Sequence, residues 1–374
     1  MPDIDDRWHT RTGTRTDRYG QGKRWLARWR DDRGQQCKRS FERQADARHF
    51  LAKVTTDLAS GAYTDHRGGR MPFREYAESW RLAQVHRPTT VCQVETNLRR
   101  HAYPTFGDRA LASVRPSEIQ AWVRGLDRDL QPATIEVVYS FVSSIFRAAV
   151  KDRLIPASPC IDIRLPKIEP KRIEPMATEQ VEALIHAIPE RYRALVILGA
   201  GCGLRQGEAF GLTVDRVNWL KRTLTVDRQL IQVKGSQPSL AQLKTPASYR
   251  TIPLPTVVTE ALASHLARFP AIDGYVFTDG AGLPLKRTRF CEVWRPACRR
   301  AGLADAITFH DLRHFFASLL IHHGESVKVV QKRLGHKNAS ETLDTYAHLW
   351  PESEDATRAA VDSVLSFEVA AVAG

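Results

Sequence analysis

Several short segments of this 374-residue chain carry side chains that could hold a phosphate or attack one. The first, Gly201-Cys202-Gly203-Leu204-Arg205-Gln206-Gly207-Glu208, follows the apolar run 194–198 and sets Arg205 and Glu208 in a glycine-rich turn. A nucleotide cofactor fits it poorly. The GxGxxG pattern would need glycine in place of Leu204, and no βαβ alternation with a ribose-binding acid follows. In the second segment Thr308 is a candidate N-cap for a helix that runs through Phe309-His310-Asp311-Leu312-Arg313-His314. His310 and Arg313 would then share one face of the first turn, where a helix N-terminus favours phosphate. His310 and His314 also have the four-residue spacing of a zinc helix, but the Glu of HExxH is missing and no third ligand is evident. A structural histidine pair is the other alternative. In the third segment, Leu334-Gly335-His336, Gly335 closes a helix bearing Val327, Val330 and Leu334, and Ser340 could cap the next. There Leu343, Tyr346 and Ala347 fall on one stripe, so Tyr346 faces core or cleft; alone, such a tyrosine is more often core.

In order and spacing these segments resemble the tyrosine recombinase, or phage integrase, family from Glu174 to the C-terminal region. GLRQGE resembles the family's first arginine box, with Arg205 at the catalytic arginine and Glu208 at the acid behind it. HDLRH resembles the second box, which makes His310 and Arg313 the matching pair. LGH puts His336 at the third His/Trp position, and Asp344-Thr345-Tyr346 matches the nucleophile segment. LKTPASYRTIPLP resembles the catalytic β-hairpin, so Lys244 matches the lysine, whereas Lys234 merely precedes a Gly-Ser turn. Upstream, LRRHAYPTFGDRALASVRPSEI resembles the family's helical core-DNA-binding domain, and the Trp/Arg strands before it resemble an arm-type DNA-binding module.

The resemblance implies a site-specific DNA recombinase that works through a 3′-phosphotyrosyl intermediate with no metal, nucleotide or other cofactor. Tyr346 would be the nucleophile. A free phenol is only about one part in a thousand ionised at neutral pH, so it needs help to lose its proton, which His310 would supply if it faces the phenol. Arg205 and Arg313 would each fork onto phosphate oxygens. His336 would add a donor, Glu208 would orient the first-box arginine or its neighbours, and Lys244 would protonate the departing 5′-oxygen. The implied partners are double-stranded DNA attachment sites and three further copies of the chain in a synaptic homotetramer, with a directionality factor and a host DNA-bending protein as additional candidates.

Composition agrees with a polyanion partner. Lys and Arg total 55 against 42 Asp and Glu, a net charge of +13 spread along the chain rather than gathered in a tail. The six cysteines lie far apart without a CxxC pair and read as thiols of a reducing cytosol. The N-terminus lacks an apolar signal region, and no apolar run is expected to cross a bilayer, so the expected location is cytoplasmic, on the nucleoid when DNA is bound.

The elements that must position these residues follow from periodicity. From Arg24 to Arg30, Trp25, Ala27 and Trp29 alternate with Arg24, Leu26, Arg28 and Arg30, which predicts a strand with one mostly cationic face. Arg24, Arg28 and Arg30 are the candidate DNA contacts there. A turn at Asp31-Asp32-Arg33-Gly34 leads to a second strand at 36–41, and Ala47, Phe50, Leu51, Val54 and Leu58 trace a helix. After a linker at His66 to Arg70 comes a helical bundle, with Ser117 and Gln120 read as a capping box and Ile135, Val138, Val142, Ile145 and Ala149 as a core stripe. Prolines at 156, 159, 166, 170 and 175, mixed with Lys167, Lys171 and Arg172, predict an extended basic linker. Helices then predominate, interrupted by strands between Arg222 and Pro255. The expected architecture is multidomain, mostly α with small β elements. It comprises an N-terminal β-sheet-plus-helix module (1–65), a helical core-binding domain (71–160), the linker (161–175) and a mixed α+β catalytic domain with a C-terminal tail (176–374).

Three rivals share parts of this pattern. The His323-Gly324-Glu325-Ser326 turn between helices also reads as a helix-turn-helix regulator, but such a protein has no use for Arg205, Lys244 and Tyr346 in register. A type IB topoisomerase uses similar chemistry without the arm-like unit. Within the family, the extra N-terminal unit favours an integrase of a phage or other mobile element over a host chromosome-dimer resolvase.

Overall fold

The computed structural model describes residues 2–364 apart from 33, 62, 65–67, 170–171, 234 and 351–353. Lys234, His66 and Arg67 of the first linker, and Pro170 and Lys171 of the second therefore lie outside the described residues, as do residues 365–374 of the tail. The chain forms two compact units, Met1–Glu169 and Pro170–Gly374. The division falls within the proline-rich segment, whose described residues form neither helix nor strand.

The first unit opens with an antiparallel sheet of β1 (Asp3–Asp6), β2 (Trp25–Arg30) and β3 (Gln36–Phe41), in that order. The alternation along β2 is as expected: Ala27 and Trp29 are buried against α1 (Gln44–Ala59), while Arg28 and Arg30 point to solvent. Trp29 also donates its indole N–H to the Tyr63 hydroxyl at 3.0 Å. β1 was not anticipated, and it corrects the expected cationic face. Its register sets Asp3 opposite Arg28 and Asp5 opposite Leu26, so carboxylates share the arginine face.

A second core in this unit gathers α2 (Phe73–Ala83), α3 (Pro88–Asn97), a π-helical turn at Leu98–Ala102, α4 (Tyr103–Phe106), α5 (Pro116–Leu126) and α6 (Pro132–Lys151). The π turn shifts the backbone register, and the carbonyl of His101 takes the Trp122 indole N–H at 2.8 Å. The expected Ser117/Gln120 box is not the one formed. Pro116, with its fixed φ, starts the helix, so the Glu118 carboxylate accepts the Arg115 N–H at 2.9 Å. Gln120 instead exchanges two hydrogen bonds with the backbone of Arg164. By length and composition α6 could cross a membrane, contrary to expectation. Its Ile135, Val138, Val142, Ile145, Phe146 and Ala149 are buried in this core.

In the second unit α7 (Thr178–Ala187), α8 (Arg193–Cys202) and the short α9 (Gln206–Phe210) precede a sheet of β4 (Val217–Asn218), β5 (Thr223–Val226) and β8 (Arg250–Pro253). Between β5 and β8, β6 (Arg228–Ile231) and β7 (Ser239–Gln242) form a separate hairpin. Helices α10 (Thr256–Arg268), α11 (Arg287–Arg300), α12 (Phe309–His322), α13 (Val327–Leu334), α14 (Ala339–Tyr346) and α15 (Glu354–Val364) complete it. α8 packs against both α10 and α12. The glycine-rich stretch proves to be the end of α8: Gly203 closes it at φ 63°, and a Cβ there would collide with the Phe316 ring.

Candidate active site

The sequence boxes converge on the C-terminus of α13. An α-helix leaves its last carbonyls without intrahelical partners and carries partial negative charge at that end. Here three successive carbonyls each accept from a different arginine. Arg250 Nε donates to Arg333 at 2.8 Å, Arg313 Nη2 to Leu334 at 2.7 Å, and Arg205 Nη2 to Gly335 at 3.3 Å. Gly335 permits this closure: its φ is 66°, and a Cβ would press within 3.1 Å of the Ala247 carbonyl and Arg250 Nη1. Arg313, only 1% exposed, also donates to the Gly203 carbonyl at 2.8 Å and so ties the ends of α8 and α13 together. Burial, followed by the nearby Arg205 charge, pushes Arg313 down to about 9, which leaves it cationic at neutral pH.

Glu208 joins two of these arginines. Its carboxylate accepts from Arg205 N at 3.0 Å and Arg205 Nη1 at 3.1 Å, closing the N-terminus of α9, and from Arg250 at 3.2 and 2.8 Å. The side chains of Glu208 and Arg250 are 2% and 3% exposed. Burial alone would raise the carboxyl, but the Arg250 hydrogen bonds and charge outweigh it and hold Glu208 below its ordinary range. Arg250 was missed in the sequence reading. Its signal was available, because alternation with the buried Ile252 turns Arg250 inward, and a buried cation requires a carboxylate.

Arg205 and Glu208 line a cavity of about 230 Å³ with Lys244, Lys337 and Glu341. Lys244 is exposed and lies two residues beyond the last strand residue of the β6/β7 hairpin, rather than on the hairpin itself. Lys337 is a second lysine at this cavity that sequence reasoning passed over, although it directly follows LGH.

At the start of α12 Thr308 caps as expected, accepting from His310 N at 3.2 Å, and Asp311 completes the box by accepting from Thr308 N at 2.7 Å. His310 is exposed. Tyr346, at the end of α14, is 1% exposed within a cluster that includes Phe316, Val330 and Leu334. Its hydroxyl lies 2.7 Å from Nδ1 of His314, not against His310 as the sequence reading allowed. His310 and His314 make a T-shaped ring contact at 4.7 Å. His336 is buried, oriented by a 2.8 Å hydrogen bond between Nδ1 and Thr342, and its ring lies parallel to that of Tyr346, 6.5 Å between centroids. Burial pushes the Tyr346 phenol up to about 12 against the pull of Arg313 and Arg205, while burial and the neighbouring cations push His336 down to about 3. The tyrosine therefore rests neutral.

In the N-terminal sheet, Arg24 is forked onto Asp6 through Nε and Nη2, with 2.7 Å to the nearer oxygen, and Arg28 pairs with Asp5 at 2.7 Å. Arg30 is exposed and, among the described residues, reaches the Gly34 carbonyl at 3.4 Å.

Residues 174–352 match the model of the phage integrase family, and residues 73–189 match that of the phage integrase central domain. This chain belongs to the phage integrase family of tyrosine recombinases. It is 27% identical over 300 residues to a tyrosine recombinase XerC-like protein of Caldanaerobacter subterraneus, covering 72% of this chain and 76% of that one. It is 24% identical over 314 residues to the integrase of Mycobacterium phage D29, covering 80% and 82%. The Tn1549 transposon integrase, solved in complex with a circular intermediate DNA, shares the fold with a TM-score of 0.68 at 22% identity, over 78% of this chain and 99% of that one.

Proposed function

We propose that this chain is the integrase of a phage or other mobile element, cutting and rejoining DNA at attachment sites through a 3′-phosphotyrosyl bond at Tyr346. The observation that carries the reading is the arginine-ringed end of α13, which holds Arg205 and Arg313 one residue apart along a carbonyl ladder, with Tyr346 in the cluster beneath. Preorganised guanidinium groups of this kind stabilise charge that develops on a phosphodiester in the transition state. Arg205 and Lys244, both at the cavity, would meet the phosphate first. Arg313 and His336 would add donors to the same phosphate, and Lys244 would protonate the 5′-oxygen. The phosphodiester energy stays in the tyrosyl bond, so no nucleotide is consumed, and a homotetramer on two DNA sites would carry out the exchange.

The mobile-element assignment is supported by the sheet-plus-helix module at residues 1–65, read as an arm-binding unit ahead of a core-binding region at 71–160, and by the extent of the match to the phage D29 integrase. The similarity to a XerC-like protein keeps a chromosome-dimer resolvase as the second reading. The test of the chemistry uses nicked suicide DNA carrying the attachment site, with adducts resolved after denaturation. The parent chain forms a covalent complex, and Tyr346→Phe binds the same DNA in a gel shift but forms none. An adduct with the Phe variant would refute the assignment.

A further inference from the structure

Tyr346 must shed a proton as it attacks, and among the described residues the side chain hydrogen-bonded to its hydroxyl belongs to a residue with no assigned role. His314 lies one turn of α12 beyond His310, on the same face, and its Nδ1 is 2.7 Å from the Tyr346 oxygen. The two rings meet at 63°, with 5.6 Å between centroids. His310, the expected helper, stands behind His314 in a T-shaped contact rather than at the phenol. We propose that His314 is a catalytic residue of the strand-transfer reaction: it accepts the phenolic proton of Tyr346 on Nδ1 as the tyrosine oxygen bonds to phosphorus.

The Tyr346 O–H bond breaks and its proton passes to His314 Nδ1; the new O–P bond forms as the bond from phosphorus to the 5′-oxygen breaks; that oxygen takes a proton from Lys244. His314 is left as imidazolium and Lys244 as a neutral amine, and rejoining returns both protons. The inference rests on the reading of Tyr346 as nucleophile.

The surroundings of His314 suit an acceptor that waits for substrate. Burial, then His310 and Arg313, push it down to about 4, opposed by Asp311, so the free protein holds a neutral imidazole. Tyr346 approaches from α14, with His336 stacked beyond it. A phosphodiester bound by Arg313 offsets the charge that this arginine adds to the effect of burial, so the proton affinity of His314 rises when a phosphate is in place. Spontaneous ionisation of the nucleophile is thereby suppressed until DNA is bound.

The experiment measures adduct formation on suicide DNA with His314→Asn, whose side-chain oxygen can take the hydrogen bond at the Nδ1 position but holds no proton near neutrality. The expected result is a loss of about 10²-fold or more at neutral pH, a rate that climbs with pH more steeply than the parent's, and unchanged DNA binding in a gel shift. Replacing Tyr346 by the more acidic 3,5-difluorotyrosine in the His314→Asn chain should restore at least about tenfold, because less help is needed to lose the proton. That rescue also certifies that the variant is folded. A His314→Asn rate within about threefold of the parent with the same pH profile, or a loss that difluorotyrosine does not relieve, would overturn the proposal. Failure of the nucleophile reading looks different: Tyr346→Phe would then still form the adduct.

Discussion

Replacing Arg250 by Met should destabilise the second unit more than any surface change, because it removes the more deeply buried of the two arginines that pair with the buried Glu208 carboxylate. The guanidinium makes two buried bonds to Glu208 and one to the Ser248 carbonyl, and a half-buried one to the Arg333 carbonyl. Breaking a buried pair by removing one partner costs about 3–5 kcal/mol, since the remaining charge stays desolvated. For a unit of this size that corresponds to a fall in Tm of roughly 6–20 °C. The pH dependence gives the mechanism away. In the parent, Glu208 is held below its ordinary range, so its contribution is present at neutral pH and is lost as pH falls through the folded value. Without Arg250, burial is opposed by Arg205 alone and the folded value rises from the parent's; the penalty is then greatest at neutral pH and shrinks as acid neutralises the carboxyl. Urea unfolding of parent, Arg250→Met and the double variant Arg250→Met/Glu208→Gln, followed from neutral pH to about pH 5, measures this. The double variant should recover part of the loss. A loss below about 1 kcal/mol, or one that does not change with pH, would refute the reasoning.

Lys244→Ala should lose cleavage of ordinary DNA but regain it on a substrate with sulfur at the 5′-bridging position, whose leaving group needs little protonation; no rescue of the folded variant would move the acid elsewhere. A chain beginning at Met71 should still bind and cut the crossover site but lose affinity for outlying arm sites, with a shallower salt dependence on DNA carrying both. Footprints identical to those of the full chain would leave residues 1–70 a role in stability or protein contacts. The pairing of Arg24 with Asp6 and of Arg28 with Asp5 makes Arg30 the most available of the three arginines for that DNA, so Arg30→Ala should weaken arm binding more than Arg28→Ala in the same footprinting assay.

Much of this was legible in the chain itself, where a single physical signal dominated. Trp25, Ala27 and Trp29 announced β2 because one face of a half-buried strand must be apolar. Thr308 announced α12 because its hydroxyl and the Asp311 carboxylate satisfy the amides of a helix start. What stayed hidden depended on partners distant in sequence. Asp3 to Asp6 has no alternation of its own and becomes a strand by pairing with β2. Pro116 outweighed Ser117 at a site where two capping patterns overlapped. His310 and His314 share a helical face, so spacing could not tell which would meet the phenol; only the path of α14 decides it.

The most direct measurement is to trap the protein on nicked attachment-site DNA, digest both components and locate the nucleotide by mass spectrometry. We expect one modified peptide, with the nucleotide's 3′-phosphate esterified to Tyr346 and a free 5′-hydroxyl on the released strand. A nucleotide on another side chain, such as the exposed Tyr249, or a linkage through a 5′-phosphate, would contradict it.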